Sequence, residues 1–227
     1  MYDPKEVVAN YALQLVPNRN IIGLGTGRTV RKLVEALARN GLLESKTFVT
    51  SSIDTELLVS SYRGKVLSLF NGVRPEIYVD SFDVVYPQGD SYVMIKGGGG
   101  ALLREKLLSF FSGHRVFIGE SSKLKTSPPF KVPVEVVPVS VSYVVGRVRE
   151  KYDVLVREGE GKIGPVISDN GNIILDLVLT RAEDLCKLDE ELKRIPGVVE
   201  TGIFCSHLYD EIVLGSPDGR LEVFKKS

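Results

Sequence analysis

Hydrophobic positions along the chain alternate between short apolar runs and longer stretches with helical spacing. Val7, Val8, Tyr11, Leu15 and Val16 recur on a helical period, which marks one apolar face. Asp3-Pro4-Lys5-Glu6 stands just before them and reads as a helix start. Asp3 can cap, Pro4 suits the first turn and Glu6 completes a capping box. Pro17 and the cluster Asn18-Arg19-Asn20 end this helix. Ile21 and Ile22 then predict a short buried strand, followed by the loop Gly23-Leu24-Gly25-Thr26-Gly27-Arg28-Thr29. Val30, Leu33, Val34 and Leu37 open a second helix on one face, and Gly41 can close it.

The same rhythm continues. Thr47-Phe48-Val49 is strand-like and runs into Thr50-Ser51-Ser52. Glu76-Ile77-Tyr78-Val79 ends at Asp80, Tyr92-Val93-Met94-Ile95 ends at Lys96, and Arg115-Val116-Phe117-Ile118-Gly119 ends at Glu120 with Lys123 beyond. Ligands of open α/β sheets bind outside the carboxyl ends of strands, and polar or glycine residues collect at each of these ends. The character changes near Thr126-Ser127-Pro128-Pro129. Beyond it come a strand at Val134-Glu135-Val136-Val137, a helix over 141–152 and a strand at Val154-Leu155-Val156. Val166-Ile167-Ser168 and Ile173-Ile174-Leu175 then flank the turn Asp169-Asn170-Gly171-Asn172, before a helix over 183–194 and a strand over 198–204. This β-α-β-β-α-β order is the ferredoxin-like plan. The tail predicts a hairpin, with arms at 211–214 and 221–224 around Ser216-Pro217-Asp218-Gly219, returning to the first domain. The expected fold is α/β: a Rossmann-like open-sheet domain over 1–128 and 206–227, with an inserted smaller ferredoxin-like α+β domain over 129–205.

Composition narrows the function. The 227 residues, 43% hydrophobic and 26% charged, suffice for one large domain or for one with a smaller companion. Basic and acidic residues balance at 29 each, whereas a nucleic-acid binder usually carries a basic surplus. No nucleic-acid partner is expected. The N-terminus lacks the plan of a signal peptide, and no apolar run approaches the roughly 18 residues of a membrane span. A cytoplasmic protein with no membrane partner is expected. Cys186 and Cys205 read as inert thiols of a reduced protein, not as a disulfide framework. Scarce glutamine and abundant charge lean toward a heat-adapted source. His114 and His207 have no partner at metal-ligand spacing and no Gly-x-Ser-x-Gly elbow is present. Neither a metal nor a cofactor is expected.

The richest segment is Met94-Ile95-Lys96-Gly97-Gly98-Gly99-Gly100-Ala101-Leu102-Leu103-Arg104-Glu105-Lys106. Four successive glycines cost backbone entropy, a cost explained if bare amides must approach something closely, typically an anion. Lys96 enters the run from a strand, and Glu105 follows inside a helix bracketed by leucines and phenylalanines. Burial of that helix would desolvate Glu105 and raise its pKa toward that of a useful base. The spacing suggests that Lys96 and Glu105 face one ligand. The loop at Gly25, Thr26, Gly27, Arg28 and Thr29 lacks both the dinucleotide spacing and the P-loop lysine, yet a helix N-terminus with two threonine hydroxyls suits a phosphate. Asp80 and Asp83 form either a solvated Asx-rich turn or a carboxylate pair facing the ligand.

These motifs, in this order, resemble the type A family of ribose-5-phosphate isomerases over nearly the whole length. Gly23-Leu24-Gly25-Thr26-Gly27-Arg28-Thr29 is similar to the family's phosphate loop, and Tyr78-Val79-Asp80-Ser81-Phe82-Asp83 to its Asp-Gly-Ala-Asp-Glu segment. The run from Ile95-Lys96-Gly97-Gly98-Gly99 through Arg104-Glu105-Lys106 is similar to its most specific motif, and Phe117-Ile118-Gly119-Glu120-Ser121-Ser122-Lys123 to another. Pro133-Val134-Glu135-Val136-Val137-Pro138, Ser168-Asp169-Asn170-Gly171-Asn172, Ile195-Pro196-Gly197-Val198-Val199 and Gly215-Ser216-Pro217-Asp218-Gly219 also fit. The resemblance implies metal-independent interconversion of ribose 5-phosphate and ribulose 5-phosphate through an enediol, in a homo-oligomer (dimer or tetramer). It implies Glu105 as base, with Lys96, Asp80 and Asp83 at the reacting end beside Gly97, Gly98 and Gly99. Gly25, Thr26, Gly27, Arg28 and Thr29 would hold the phosphate, with Lys123 nearby. Two departures stand out. Arg28 replaces the usual serine, and the aspartate segment reads Asp80-Ser81-Phe82-Asp83-Val84, in which Phe82 adds bulk beside the proposed site. That change motivates a rival reading, a non-catalytic sugar-phosphate sensor on the same fold. An amino-sugar phosphate isomerase or deaminase is a third.

Overall fold

A computed structural model describes residues 2–161 and 163–226. Met1, Lys162 and Ser227 lie outside the described residues, two of them at the expected limits of the first domain. The chain opens with α1 (Pro4–Gln14), β1 (Ile21–Leu24), α2 (Arg28–Arg39), β2 (Thr47–Thr50), α3 (Ile53–Ser61), β3 (Lys65–Val66) and β4 (Ile77–Asp80). Next come β5 (Val84–Gln88), β6 (Ser91–Ile95), α4 (Leu102–Phe111) and β7 (Arg115–Glu120). The middle holds β8 (Phe130–Val136), α5 (Val141–Val148), β9 (Asp153–Val156), β10 (Ile173–Leu179), α6 (Leu185–Lys193), β11 (Val198–Thr201) and β12 (Ile203–Phe204). β13 (Glu211–Gly215) and β14 (Leu221–Lys225) close it.

Two compact units result. The first comprises the chain up to Phe82, Arg104–Leu124 and the chain from Ser206 onward; the second comprises Asp83–Leu103 and Lys125–Cys205. The second unit is therefore larger than the inserted domain drawn at 129–205. β5 and β6 form a hairpin that pairs with β12, and Val84, Tyr86, Val93 and Ile95 share a core with Val132, Val134 and Leu177. Apolar side chains follow the sheet they pair with, which sequence order does not disclose.

In the first unit, α1 starts where its cap requires. The Asp3 carboxylate accepts from the Lys5 N–H at 3.0 Å, and Pro4 takes the first helical position. Val8 and Ala12 of α1 pack with Val30, Leu33 and Leu37 of α2 over Ile22, Leu24, Ile77 and Val79 of the sheet. Full burial of each large aliphatic side chain contributes about 1.5–3 kcal/mol. The sheet runs in the order β14-β13-β7-β4-β1-β2-β3. All its pairings are parallel except that of β14 with β13. The tail thus forms the expected hairpin and returns to this sheet. From β1 the chain moves out through β2 and β3, then returns to β4 on the other side of β1. That reversal leaves a crevice beyond the adjoining ends of β1 and β4, the usual ligand position in such sheets. An ion pair fixes the approach to β13. Arg115 donates to the Asp210 carboxylate at 2.9 and 2.6 Å from its side chain and at 2.8 Å from its backbone. Burial alone would raise the Asp210 carboxyl, but these bonds outweigh it and hold the pKa below the ordinary value. His114, isolated in sequence, lies 3.7 Å from Asp210 and 3.3 Å from Glu211.

The second unit contains a four-stranded antiparallel sheet, β11-β8-β10-β9. With α5 and α6 in the connections, this is the ferredoxin-like arrangement. The strand expected over 198–204 is broken at Gly202. The Gly202 N–H donates to the Pro133 carbonyl at 2.7 Å, and its carbonyl accepts from the Lys96 N–H at 2.8 Å. Gly202 thus carries the chain from one sheet to the other. The expectation of two reduced thiols is overturned: Cys186 and Cys205 form a disulfide, with Cα atoms 6.0 Å apart. The 19-residue spacing hid it, because only the return of the chain through β11 and β12 brings Cys205 back to α6. Replacing both cysteines with alanine should cost about 3 kcal/mol, the chain-entropy value for a loop of this size. Thermal melting of the variant and of the reduced wild type tests this. Unchanged melting in both would show that the bridge is absent or immaterial.

Candidate active site

The residues assigned from sequence divide between the two units. The Gly25 to Thr29 loop, Asp80, Glu105 and Lys123 belong to the first; Asp83, Lys96, Gly97, Gly98 and Gly99 belong to the second.

In the first unit the site is built on Asp80, the last residue of β4, which is fully buried. Its Oδ1 accepts from the Thr26 N–H at 3.2 Å and the Ser81 N–H at 2.6 Å, and its Oδ2 accepts from the Tyr78 hydroxyl at 2.5 Å. The carboxylate sits flat against the loop after β1. A Cβ on Gly25 would stand 1.8 Å from the Asp80 Cγ, so no other residue fits there. The other polar groups of Gly25 and Thr26 are also engaged. The Gly25 N–H donates to the Val79 carbonyl at 2.9 Å, and the Gly25 carbonyl accepts from the Thr55 hydroxyl at 2.8 Å. The Thr26 carbonyl accepts from the Ser81 hydroxyl at 3.2 Å, and the Thr26 Oγ1 from the Ser52 hydroxyl at 2.9 Å. With Gly25 and Thr26 so occupied, the amides that can meet an anion are those opening α2. Gly27 adopts φ +100° at the N-cap, no side chain caps the helix, and Arg28 is exposed at its first position while Thr29 is buried. The first amides of a helix have no intrahelical acceptor and carry the positive end of its dipole.

Glu105 lies in the first turns of α4 and is 2% exposed. Its burial does not come from the bracketing aromatics, as the sequence suggested. Leu107, Phe110 and Phe111 are exposed, with the two phenylalanine rings packed edge to face at 5.0 Å and Arg74 over Phe111. Leu102, Leu108, Lys106, Ser109 and Ser112 are buried with Glu105 instead. Burial first, then the charges of Asp80 and Glu105, raise the Tyr78 pKa well above its ordinary value. Tyr78 therefore remains a hydroxyl donor to Asp80. Phe82 does not project as free bulk: it is buried, with its ring packed against Gly119. Its carbonyl accepts from Lys123, whose Nζ lies 5.6 Å from the Phe82 ring centroid.

In the second unit Lys96 directly follows β6, is 2% exposed, and has its Nζ 5.4 Å from the centre of the Phe204 ring. Gly97 takes φ +91° and begins a turn closed by the Gly100 N–H on the Gly97 carbonyl at 2.9 Å. The Asp83 Oδ2 accepts from the Gly98 N–H at 2.7 Å, and the Asp83 N–H donates to the Ile95 carbonyl at 2.8 Å. Asp83 is thus tied by its backbone to the end of β6 and by its carboxylate to the glycine run. Gly98 and Gly99 are exposed.

Sequence reasoning missed Tyr78, Ser52, Thr55 and Ser81 as members of the site. Tyr78 carried a readable signal, since residues two apart on a strand share a face and Asp80 is two beyond it. The hydroxyls carried none, because their partners come from other loops. Among the described residues no group of three or more His, Cys, Asp or Glu could hold a metal ion, and no helix is long and apolar enough to cross a membrane.

The chain matches the family model described as ribose 5-phosphate isomerase A (phosphoriboisomerase A) over residues 47–219. It is 38% identical over 203 residues to the ribose-5-phosphate isomerase A of Korarchaeum cryptofilum, covering 88% of each chain. It is 34% identical over 222 residues to that of Methanocaldococcus jannaschii, covering 96% of each. The solved structure of ribose 5-phosphate isomerase A from Methanocaldococcus jannaschii superposes with a TM-score of 0.90 at 32% identity, covering 99% of both chains. A D-ribose-5-phosphate isomerase solved in complex with phospho-erythronic acid superposes with a TM-score of 0.89 at 30% identity, covering 98% of this chain and 97% of the other. The chain belongs to the ribose 5-phosphate isomerase A family.

Proposed function

We infer that the protein interconverts D-ribose 5-phosphate and D-ribulose 5-phosphate, an aldose–ketose isomerisation. The observation that carries the reading is a buried carboxylate, Glu105, in the unit whose β1 and β4 ends hold an anion-ready helix start. The reaction needs little else. The base removes the C2 proton of the open-chain aldose, and the C2–H electron pair forms a C1–C2 double bond while the C1 carbonyl oxygen takes the negative charge. A proton moves from O2 to O1, and the base returns its proton to C1 as the C2 carbonyl forms. Glu105 is assigned both proton transfers, since one carboxylate can serve both carbons. Lys96 is assigned the developing enediolate charge; a fixed donor of this kind is worth about 10²–10³ in rate.

Asp83 and the amides of Gly97, Gly98 and Gly99 are assigned to the sugar hydroxyls. The phosphate is assigned to Gly27, Arg28 and Thr29 with Lys123, on a loop that Gly25 and Thr26 shape through Asp80. Holding the far end of the sugar fixes the register of C1 and C2. The sensor reading rested on the altered aspartate segment. Both aspartates nevertheless make the bonds that shape their loops, and Phe82 is accommodated by Gly119. Nothing favours that rival or an amino-sugar reaction.

A cytoplasmic location is proposed with this activity. Intracellular proteins of hyperthermophiles keep disulfides, so the Cys186–Cys205 bond agrees with a heat-adapted composition. A dimer or tetramer is proposed as well. It is supported by an apolar groove of about 970 Å³ in the second unit, lined by Val137, Val139, Tyr143, Leu188, Leu192 and Ile195, in which Val139 and Tyr143 are more than 80% exposed.

Two measurements test these assignments. Glu105→Gln should lower kcat about 10²–10⁴-fold, the usual contribution of a positioned base, with the ketose followed by absorbance in the presence of a chelator. Near-normal kcat would remove Glu105 from its role. Light scattering on the eluted protein should give a mass of two or four chains, falling toward one chain in Tyr143→Glu. A wild-type mass of a single chain would contradict the assembly.

A further inference from the structure

The glycine run is gripped by a cation that the assignments above leave unused. Arg157 follows β9 directly, and its side chain is 16% exposed. Nε and Nη2 donate to the two carboxylate oxygens of Asp176 on β10, at 2.9 and 2.5 Å. The remaining nitrogen, Nη1, donates to the carbonyls of Gly97 and Gly98 at 2.8 and 3.0 Å. The Arg157 backbone is fixed too: its N–H donates to the Ile174 carbonyl at 2.9 Å, and its carbonyl accepts from the Val166 N–H at 2.8 Å. One edge of a planar fork is thus locked onto a carboxylate while the other reaches the loop. Arginine can do both at once and lysine cannot.

Peptide geometry gives this contact a consequence. In a trans peptide the C=O and N–H point in opposite directions. The Gly97–Gly98 peptide is therefore held at both ends, by Arg157 at its oxygen and by the Asp83 carboxylate at its N–H, 2.7 Å away. The oxygen of the next peptide is held by the same Nη1, so the Gly99 N–H is turned away from the guanidinium. Glycine has a wide choice of backbone conformations, and four in succession would otherwise sample many peptide orientations.

We propose that Arg157, locked by Asp176, is a positioning residue for the isomerisation: it fixes the orientation of the Gly97-Gly98-Gly99 peptides and so aims the Gly99 amide and the Asp83 carboxylate at the sugar. The inference rests on the reading of this loop and Lys96 as serving the reaction. Phosphate binding, assigned to the first unit's loop, does not depend on it. Loss of Arg157 therefore acts on kcat more than on KM.

The test compares Arg157→Ala, Arg157→Lys, Asp176→Asn and Lys96→Met in the full chain. Arg157→Ala should lower kcat about 10–10²-fold, the scale of an ångström-size misplacement, with KM for ribose 5-phosphate little changed. Millimolar guanidinium should restore part of the rate, whereas Arg157→Lys should not recover it. Asp176→Asn keeps the guanidinium but loosens its anchor, and should lower kcat by a smaller factor. It decides the matter if Arg157→Ala does not fold. The inference is overturned if Arg157→Ala keeps the wild-type kcat while Lys96→Met is impaired, or if the folded Arg157→Ala loses activity that guanidinium does not restore. A wild-type rate for Asp176→Asn, where that variant decides, also overturns it. A fully active Lys96→Met would remove the catalytic reading of the loop first, and this inference with it.

Discussion

A buried carboxylate, Asp80, organises the loop that follows β1 in the first unit. Asp80 has no contact with water, and leaving such a charge unsatisfied costs several kcal/mol. The fold meets that demand with the amides of Thr26 and Ser81 and the Tyr78 hydroxyl. In doing so it fixes the loop after β1. The position of α2's first amides and the need for glycine at residue 25 follow from satisfying this one carboxylate. These bonds hold the loop more firmly than its glycines alone would suggest.

The second unit solves a similar problem with the opposite polarity. There the groups to be restrained are the peptides of a glycine run. A cation holds their oxygens and the Asp83 carboxylate holds an N–H. Both devices spend polar groups on fixing backbone direction, as a reaction that relies on preplaced donors requires. Isomerisation through an enediol has few covalent demands, and most of what the protein supplies is geometry.

Much of this was legible in the chain. The Rossmann-like start could be read because Asp3-Pro4 caps a helix, Ile21 and Ile22 make a strand, and the glycine loop sits between that strand and the next helix. The ferredoxin-like order could be read because each of its elements carries its own period. Asp80, Lys96 and Glu105 stood out because each is a charge placed against an apolar run. What could not be read depends on partners distant in sequence. The β5–β6 hairpin joins the second unit because β12 pairs with it, and Cys186 meets Cys205 only after the chain returns through β11 and β12. Phe82 looked obstructive until Gly119 was seen to make room for its ring. The exposure of Phe110 and Phe111 ran against hydrophobicity, since α4 turns its charged residues inward.

The central claim is that this chain moves a proton between neighbouring carbons of a phosphorylated pentose. Ribose 5-phosphate incubated with the wild-type protein in D2O, and followed by proton NMR, tests it most directly. The account predicts that ribulose 5-phosphate appears and that deuterium enters at its C1, because a carboxylate base exchanges its proton with solvent between the two transfers. A folded wild-type protein that forms no ketose would contradict it.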